Sequence, residues 1–345
     1  MDQTVLADVE DGHGMDLKDA PLPTALREIR EPVADDLVEF RKYFRSTMRT
    51  DVRLLDGIVR YVLRQKGKRI RPTLVLLSAR ICGQVTDKTY RGAALVELLH
   101  SATLIHDDVV DDAEKRRGMF SINALWKNKI SVLFGDFLLS RGLLLALEFG
   151  DYDLLQTMSD AVRRMSEGEL LQIEKARRLD IDEDTYFRII SDKTASLISA
   201  CTVSGAVSAG ASEEHVSHMR GLGEKLGLAF QIRDDLFDFG ADGAGKPSGI
   251  DLKEKKLTLP LIHALSKADL YDRRRIMRIV RRDRKSAGDL AEVLEFVEAY
   301  DGLEYARKRM RHLADDAQRI LAEMPSGEAR NAMAGLIEYT VRRKR

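Results

Sequence analysis

Cysteine and proline are scarce in this chain, and each scarcity excludes something. Two cysteines, Cys82 and Cys201, among 345 residues and with no CxxC spacing make a disulfide framework or a structural zinc site unexpected; a reducing cytoplasm fits. Seven prolines leave room for long, uninterrupted helices. Net charge is also missing: 56 Lys and Arg balance 56 Asp and Glu. Electrostatic function must therefore come from local segregation of charge, and nucleic acid is not an expected partner. The apolar runs, such as Leu143 to Leu147, are too short to cross a bilayer. The N-terminus carries no basic region ahead of an apolar stretch, so a signal peptide is not expected.

Helical periodicity fills most of the rest. Strand-type alternation bounded by turn residues is nearly absent, and no repeat recurs at a solenoid period. Residues 1–23 read as a flexible arm, polar and closed by Pro21 and Pro23. Residues 24–345 read as one all-α domain, with helices expected near 32–49, 51–66, 70–82, 87–110, 120–127, 130–149, 151–178, 183–210, 213–239, 256–267, 269–281, 287–312, 314–323 and 326–342. The segments between 87 and 239 are apolar on more than one face, so they belong at the centre.

Residues 104–118 read LIHDDVVDDAEKRRG, an apolar run followed by four aspartates, two arginines and a glycine. On a helix at ~100° per residue, Asp107 and Asp111 share a face and Asp108 lies next to it. Like charges four apart repel, and the macrodipole disfavours anions at a helix C-terminus. A cation would relieve both. Magnesium takes hard oxygen ligands and commonly joins one or two carboxylates to substrate phosphates. Arg116 and Arg117 can grip phosphate oxygens in a fork, and Gly118 is expected to stop the helix. The alternative is a solvated helix end with pairs such as Asp112–Arg116.

A second stretch changes the balance. Residues 227–238, GLAFQIRDDLFD, repeat the pattern with Asp234, Asp235 and Asp238, and Gln231 lies one turn earlier near the Asp234 face. Two such helices facing one cavity would surround a cluster of divalent ions. Cations accompany them. GKRIRP (67–72) puts Lys68, Arg69 and Arg71 at a helix start, where backbone N–H groups also favour phosphate. SDKTAS (191–196) places Lys193 and Thr194 inside an apolar helix. The glycine-rich run 239–251 carries Lys246, as on a lid, and Lys256 follows.

Assembled in this order, with NALW, GELLQ and GKPSGIDLKEKKLTLP between and after them, these motifs resemble the trans (all-E) polyprenyl diphosphate synthases of the isoprenoid synthase fold. The resemblance implies a homodimeric enzyme that joins isopentenyl diphosphate to an allylic diphosphate, using magnesium, usually three ions. It implies Asp107, Asp111 and Asp234 as metal ligands, and Asp108, Asp235 and Asp238 as carboxylates holding metal-bound waters. Lys68, Arg71, His100 and Arg117 would hold isopentenyl diphosphate. Arg116, Lys193, Thr194, Gln231, Lys246 and Lys256 would hold the allylic diphosphate. The resemblance also implies Lys193, Arg116, Asp107 and Asp234 as the catalytic residues. One departure follows RRG: Met119, Phe120 and Ser121 replace the family's basic and small polar residues, so no phosphate contact is assigned there.

Product length depends on the helix below Asp107. Leu99, Ala102 and Thr103 fall on one side of it, and Ala102 and Thr103 are small where bulky aromatics would floor the pocket. A long-chain product, of the quinone-tail kind, is therefore expected; a short-chain synthase is the alternative. A terpene cyclase would not need Lys68 and Arg71 and typically replaces the second aspartate set, while a non-catalytic partner subunit tends to lose one set. Finally, DRRRIMRIVRRDRK (272–285) reads as an amphipathic surface helix whose basic face is able to meet anionic lipid transiently as product leaves.

Overall fold

The computed structural model describes residues 24–64, 67–116, 118–240 and 249–343. The arm expected over 1–23, Arg117 and Lys246 lie outside these residues. The chain opens with α1 (Thr24–Arg30), α2 (Ala34–Thr47), α3 (Arg53–Arg64), α4 (Ile70–Cys82) and α5 (Asp87–Val110). A two-residue hairpin, β1 (Lys115–Arg116) against β2 (Met119–Phe120), precedes α6 (Ile122–Glu148), α7 (Tyr152–Arg178) and α8 (Glu183–Ile190). A π-helical turn, Ser191–Ala195, leads into α9 (Ser196–Ser208) and α10 (Glu213–Asp238). The chain closes with α11 (Ile250–Lys253), α12 (Leu259–Lys267), α13 (Leu270–Arg281), α14 (Ala287–Ala299), α15 (Gly302–Ala322) and α16 (Glu328–Arg342). The all-α expectation holds.

Helix α5 carries the first aspartates, and its ends show why it spans this length. Thr86 and Thr89 form a reciprocal capping box, with the Thr86 N–H donating to Thr89 Oγ1 at 3.0 Å. The other end stops at Val110, because Asp111 is already the C-cap and Asp112 turns left-handed at φ 49°. Gly118 is therefore not the helix stop that the sequence implied. It sits at φ +79° in the hairpin turn, where glycine bears positive φ without strain.

Three apolar clusters hold the helices. The first joins α4, α5, α9, α10 and α16 through residues such as Leu74, Val96, Cys201, Leu222 and Met333. The second joins α10 to α12–α15 through Ile232, Leu259, Ile276, Val297 and Met310. The third packs α3, α5 and α6 through Ile58, Leu98, Ala102, Phe134 and Leu138. Each fully buried side chain of this size contributes about 1.5–3 kcal/mol over its exposed state, so the clusters fix how the aspartate helices face each other.

Several expectations need correction. The break expected near 313 falls instead at Asp301, which adopts φ 55° between α14 and α15. The helix expected over 183–210 is interrupted by the π turn. Helices expected at 120–127 and 130–149 form one element kinked at Lys127, whose φ of 69° and ψ of 166° are non-helical. The uninterrupted apolar runs of this element stay short, broken by Asp136 and Arg141, but its average is high. α6 is 27 residues long with a mean hydropathy of 1.8 over its most apolar window, long and apolar enough to cross a membrane by those measures alone. Here one of its faces packs in the third cluster through Phe134 and Leu138, while Val132, Leu133, Leu144 and Leu147 stay exposed.

Candidate active site

The π turn is the pivot of the site. One extra residue per turn re-aims the side chains that follow, a device frequent at functional sites, and here those side chains are Lys193 and Thr194. Two glycines let neighbouring helices close on the turn. A Cβ at Gly168 of α7 would lie 2.9 Å from the Lys193 backbone nitrogen, and one at Gly227 of α10 would lie 2.5 Å from Ala195 Cα.

Lys193 pairs with Glu169 and also donates to Gln172 Oε1 at 3.4 Å. Thr194 donates to Gln231 at 2.8 Å, Gln231 to Asp235 at 2.9 Å, and the Tyr186 hydroxyl to the other Asp235 oxygen at 2.6 Å. Asp235 is 4% exposed. It anchors a relay of side chains ending at Thr194 and does not face open water. Burial first, then the nearby Asp251 charge, pushes its carboxyl up to about 7. Asp251 is itself pushed up to about 6 by burial and by Asp238. Asp238 accepts from the backbone N–H groups of Ile250 and Asp251 at 2.9 and 3.3 Å, pinning the segment that returns from the glycine-rich run.

The first aspartate set divides. Asp108 is 3% exposed and takes the Arg116 guanidinium at 2.7 Å, so it positions an arginine. Asp107 is raised above its ordinary value by burial, then by Glu169 and Asp111, with Lys193 opposing. Asp111, at the helix end, is exposed. In the second set, burial raises Asp234, while Arg343 opposes the shift from 2.5 Å away. Among the described residues no three acidic, histidine or cysteine side chains converge tightly enough to hold one ion by themselves. Carboxylates offered in ones and twos fit magnesium, which completes its shell with water and substrate phosphate.

Two cavities meet beside α5. The larger, about 600 Å³, is rimmed by Lys68, Asp107, Glu169, Lys193 and Thr194 and lined below by Thr103, Met165, Leu197, Ile198 and Phe230. The smaller, about 150 Å³, is walled by Arg41, Arg45, Arg71, His100, Asp108 and Arg116. Gly67, Arg69, Arg71, His100 and Leu104 border both. At the outer mouth, Asp107, Asp111, Glu169 and Lys193 face Lys255, Lys256 and Arg281.

Of the described site residues read from sequence, Asp107, Lys193 and Thr194 border the larger cavity, Arg71 and His100 border both, and Asp111 and Lys256 lie at the mouth, while Asp234, Asp235, Asp238 and Gln231 border none of the three; Lys68, assigned with Arg71 and His100, lies on the larger cavity only. Arg116, assigned with Lys193 and Thr194, lies instead on the small cavity with Arg71 and His100. Of the three chain-length residues only Thr103 borders the large cavity: Ala102 packs in the third cluster, and Leu99 packs in the first, on the side of α6. Helical spacing placed them on one side but could not say which neighbour each would meet. Sequence reading missed Glu169, Gln172, Asp251 and Arg343. The first three lie inside motifs already quoted, GELLQ and GKPSGIDLK, and offered a signal; Arg343 offered none. His106, left without a role, has its Nε2 3.4 Å from both the Val132 carbonyl and Asp136 on α6.

A cation-rimmed, apolar-floored cavity beside a second cationic cavity, in an all-helical frame, suits anionic ligands that carry apolar tails. The polyprenyl synthetase family model matches residues 52–297, and this chain belongs to that family of prenyltransferases. It is 37% identical over 322 residues to octaprenyl diphosphate synthase of Escherichia coli, covering 93% of this chain and 99% of that one. A decaprenyl diphosphate synthase structure from Rhodobacter capsulatus superposes with a TM-score of 0.87 at 36% identity, over 93% of this chain and 99% of that one. A Caulobacter crescentus polyprenyl synthase, solved with calcium and isoprenyl diphosphate, superposes at 0.84 with 32% identity, over 94% and 100%.

Proposed function

We propose that this protein builds a long-chain all-trans polyprenyl diphosphate by repeated head-to-tail condensation of isopentenyl diphosphate onto an allylic diphosphate. The observation that carries the reading is the pair of adjoining cavities. The larger offers a polar rim for a diphosphate and an apolar lining for its tail; the smaller has cationic walls and a compact volume. The names of the octaprenyl and decaprenyl synthases, similar over nearly their whole length, support the long chain.

Asp107, Asp111 and Asp234 are the residues that would hold magnesium, in three ions on the family pattern; bound there it would neutralise the leaving diphosphate. Lys193 donates to that diphosphate from the rim, fixed by Glu169 and Gln172. Thr194, held by Gln231, gives a neutral donor beside it, and Lys256 adds charge at the mouth. The allylic C–O bond breaks, and the departing oxygen keeps the electron pair. Thr103, Leu197, Ile198 and Phe230 keep water from the cation left behind. Arg71 and His100 orient isopentenyl diphosphate across the shared wall. Its double bond attacks the allylic carbon, and the departed diphosphate takes the proton that restores an alkene.

The reading treats 24–345 as one domain, because α10 and α15 each contribute to both large clusters. It includes a cytoplasmic location, in keeping with two free thiols, and a homodimer formed through the exposed apolar face of α6. The product, a diphosphate on a long apolar tail, leaves for a lipid phase. Purified protein with magnesium, radiolabelled isopentenyl diphosphate and an allylic primer tests the reading. Linear products longer than twenty carbons are expected; cyclic products, no products, or chains ending at fifteen or twenty carbons refute it.

A further inference from the structure

Helix α13 is amphipathic in an unusual way. Ile276, Ile279 and Val280 are buried at 0–3% exposure in the second cluster. At ~100° per residue, the opposite face is Tyr271, Arg274, Arg278 and Arg281, with Leu270 beside Tyr271. Leu270 and Tyr271 are 71% and 76% exposed. The arginines on that face differ from their neighbours. Arg275 pairs with Asp272 and Glu292, and Arg282 with Asp289. Arg274, Arg278 and Arg281 are exposed and, among the described residues, carry no ion pair. A protein with no net charge therefore concentrates unpaired cations and two exposed apolar side chains on one outward stripe.

The stripe also has a position. Arg281 lines the outer mouth of the site, across from Asp107 and Asp111, and Val110 at the same mouth is 77% exposed. We propose that the outward face of α13 docks the mouth of this enzyme on an anionic lipid surface. This rests on the polyprenyl synthase reading for its purpose, delivery of an insoluble product, but not for its physics. Arginines meet lipid phosphates while Leu270 and Tyr271 enter the interfacial layer. A free polyphosphate or a nucleic acid would engage the arginines and leave both apolar residues in water.

Flotation with lipid vesicles tests this on the full-length protein. One set of vesicles is equal parts phosphatidylglycerol and phosphatidylcholine, the other phosphatidylcholine alone. Wild type is expected to float with the anionic vesicles, to detach at high salt, and to ignore the neutral ones. Arg274→Glu with Arg278→Glu removes two cations at about fivefold each, so vesicle partitioning drops by about twenty-fivefold or more. Leu270→Ser with Tyr271→Ser weakens it further. These side chains are exposed and outside the catalytic cavity, so circular dichroism and condensation of a short primer stay unchanged. Equal binding to neutral vesicles, undiminished binding of the double glutamate variant, or no vesicle binding overturns the proposal. So does a self-association in light scattering that the same substitutions abolish, since the face would then cover a second copy. Vesicle binding without condensation would refute the enzymatic reading and leave the docking surface standing.

Discussion

Arg343 occupies a carboxylate that the proposed chemistry needs. Its guanidinium donates to Asp234 at 2.5 Å, stacks 4.1 Å from the Phe230 ring centre, and is one-tenth exposed. The Arg233 side chain holds the Arg343 carbonyl at 2.7 and 3.1 Å, fixing the arginine in place. Magnesium at Asp234 must displace this partner. A hydrogen bond to a charged group is worth about 1.5–3 kcal/mol. Asp234 is 40% exposed, so solvent screening favours the low end, about 1.5 kcal/mol. Arg343→Ala should therefore tighten magnesium binding by about tenfold, measured by titration calorimetry in the presence of inorganic diphosphate. Arg343→Gln, keeping a weaker donor, should fall between. The same change should slightly lower the metal-free melting temperature, because Asp234 loses its partner. Unchanged or weaker magnesium binding in Arg343→Ala would refute the displacement argument.

Three further outcomes follow from the geometry. Thr103→Phe, on the cavity wall, should shorten the products, whereas Ala102→Phe should overpack the third cluster and cost about 1–3 kcal/mol of stability without shortening them; product chromatography and thermal melts distinguish the two. Gly168→Ala sets a Cβ 2.9 Å from the Lys193 backbone, so turnover should fall by roughly tenfold, about the effect of displacing one charge-stabilising donor slightly, while a Gly57→Ala control, with open space around it, should leave kinetics unchanged. The folded-state carboxyls of Asp235 and Asp251 lie at about 7 and about 6, above the ordinary carboxylate value. Their contribution to stability is fully present below the ordinary value and is lost as pH rises through the folded values. In chelator, the melting temperature should then decline from pH 5 to 8; a rise across that window would contradict the burial of these two groups.

How much of this was legible beforehand depends on what local sequence encodes. The aspartate helices, the cations of GKRIRP and the lysine of SDKTAS were legible because charge inside an apolar periodic segment is conspicuous in one dimension. The break at Asp301 was legible only in part: YDGL offers Gly302, but it is Asp301 that turns left-handed, and Gly302 opens the next helix pressed against the Pro260 carbonyl. The π turn was hidden: SDKTAS continues a helical pattern, and only the packing of Gly168 and Gly227 against it shows the extra residue. Helical spacing grouped Ala102 with Thr103 yet could not tell that α3 and α6 claim one and the cavity the other. Arg343 lies 109 residues from Asp234, a separation at which no local pattern speaks.

The most direct test is a crystal structure with magnesium, isopentenyl diphosphate and a non-ionisable allylic thiodiphosphate. The allylic diphosphate should sit at the rim near Lys193 and Thr194 with its tail beside Thr103 and Phe230, and isopentenyl diphosphate should sit with Arg71 and His100 across the shared wall. Both diphosphates in one cavity, or an allylic tail directed away from Thr103, would contradict the two-cavity account.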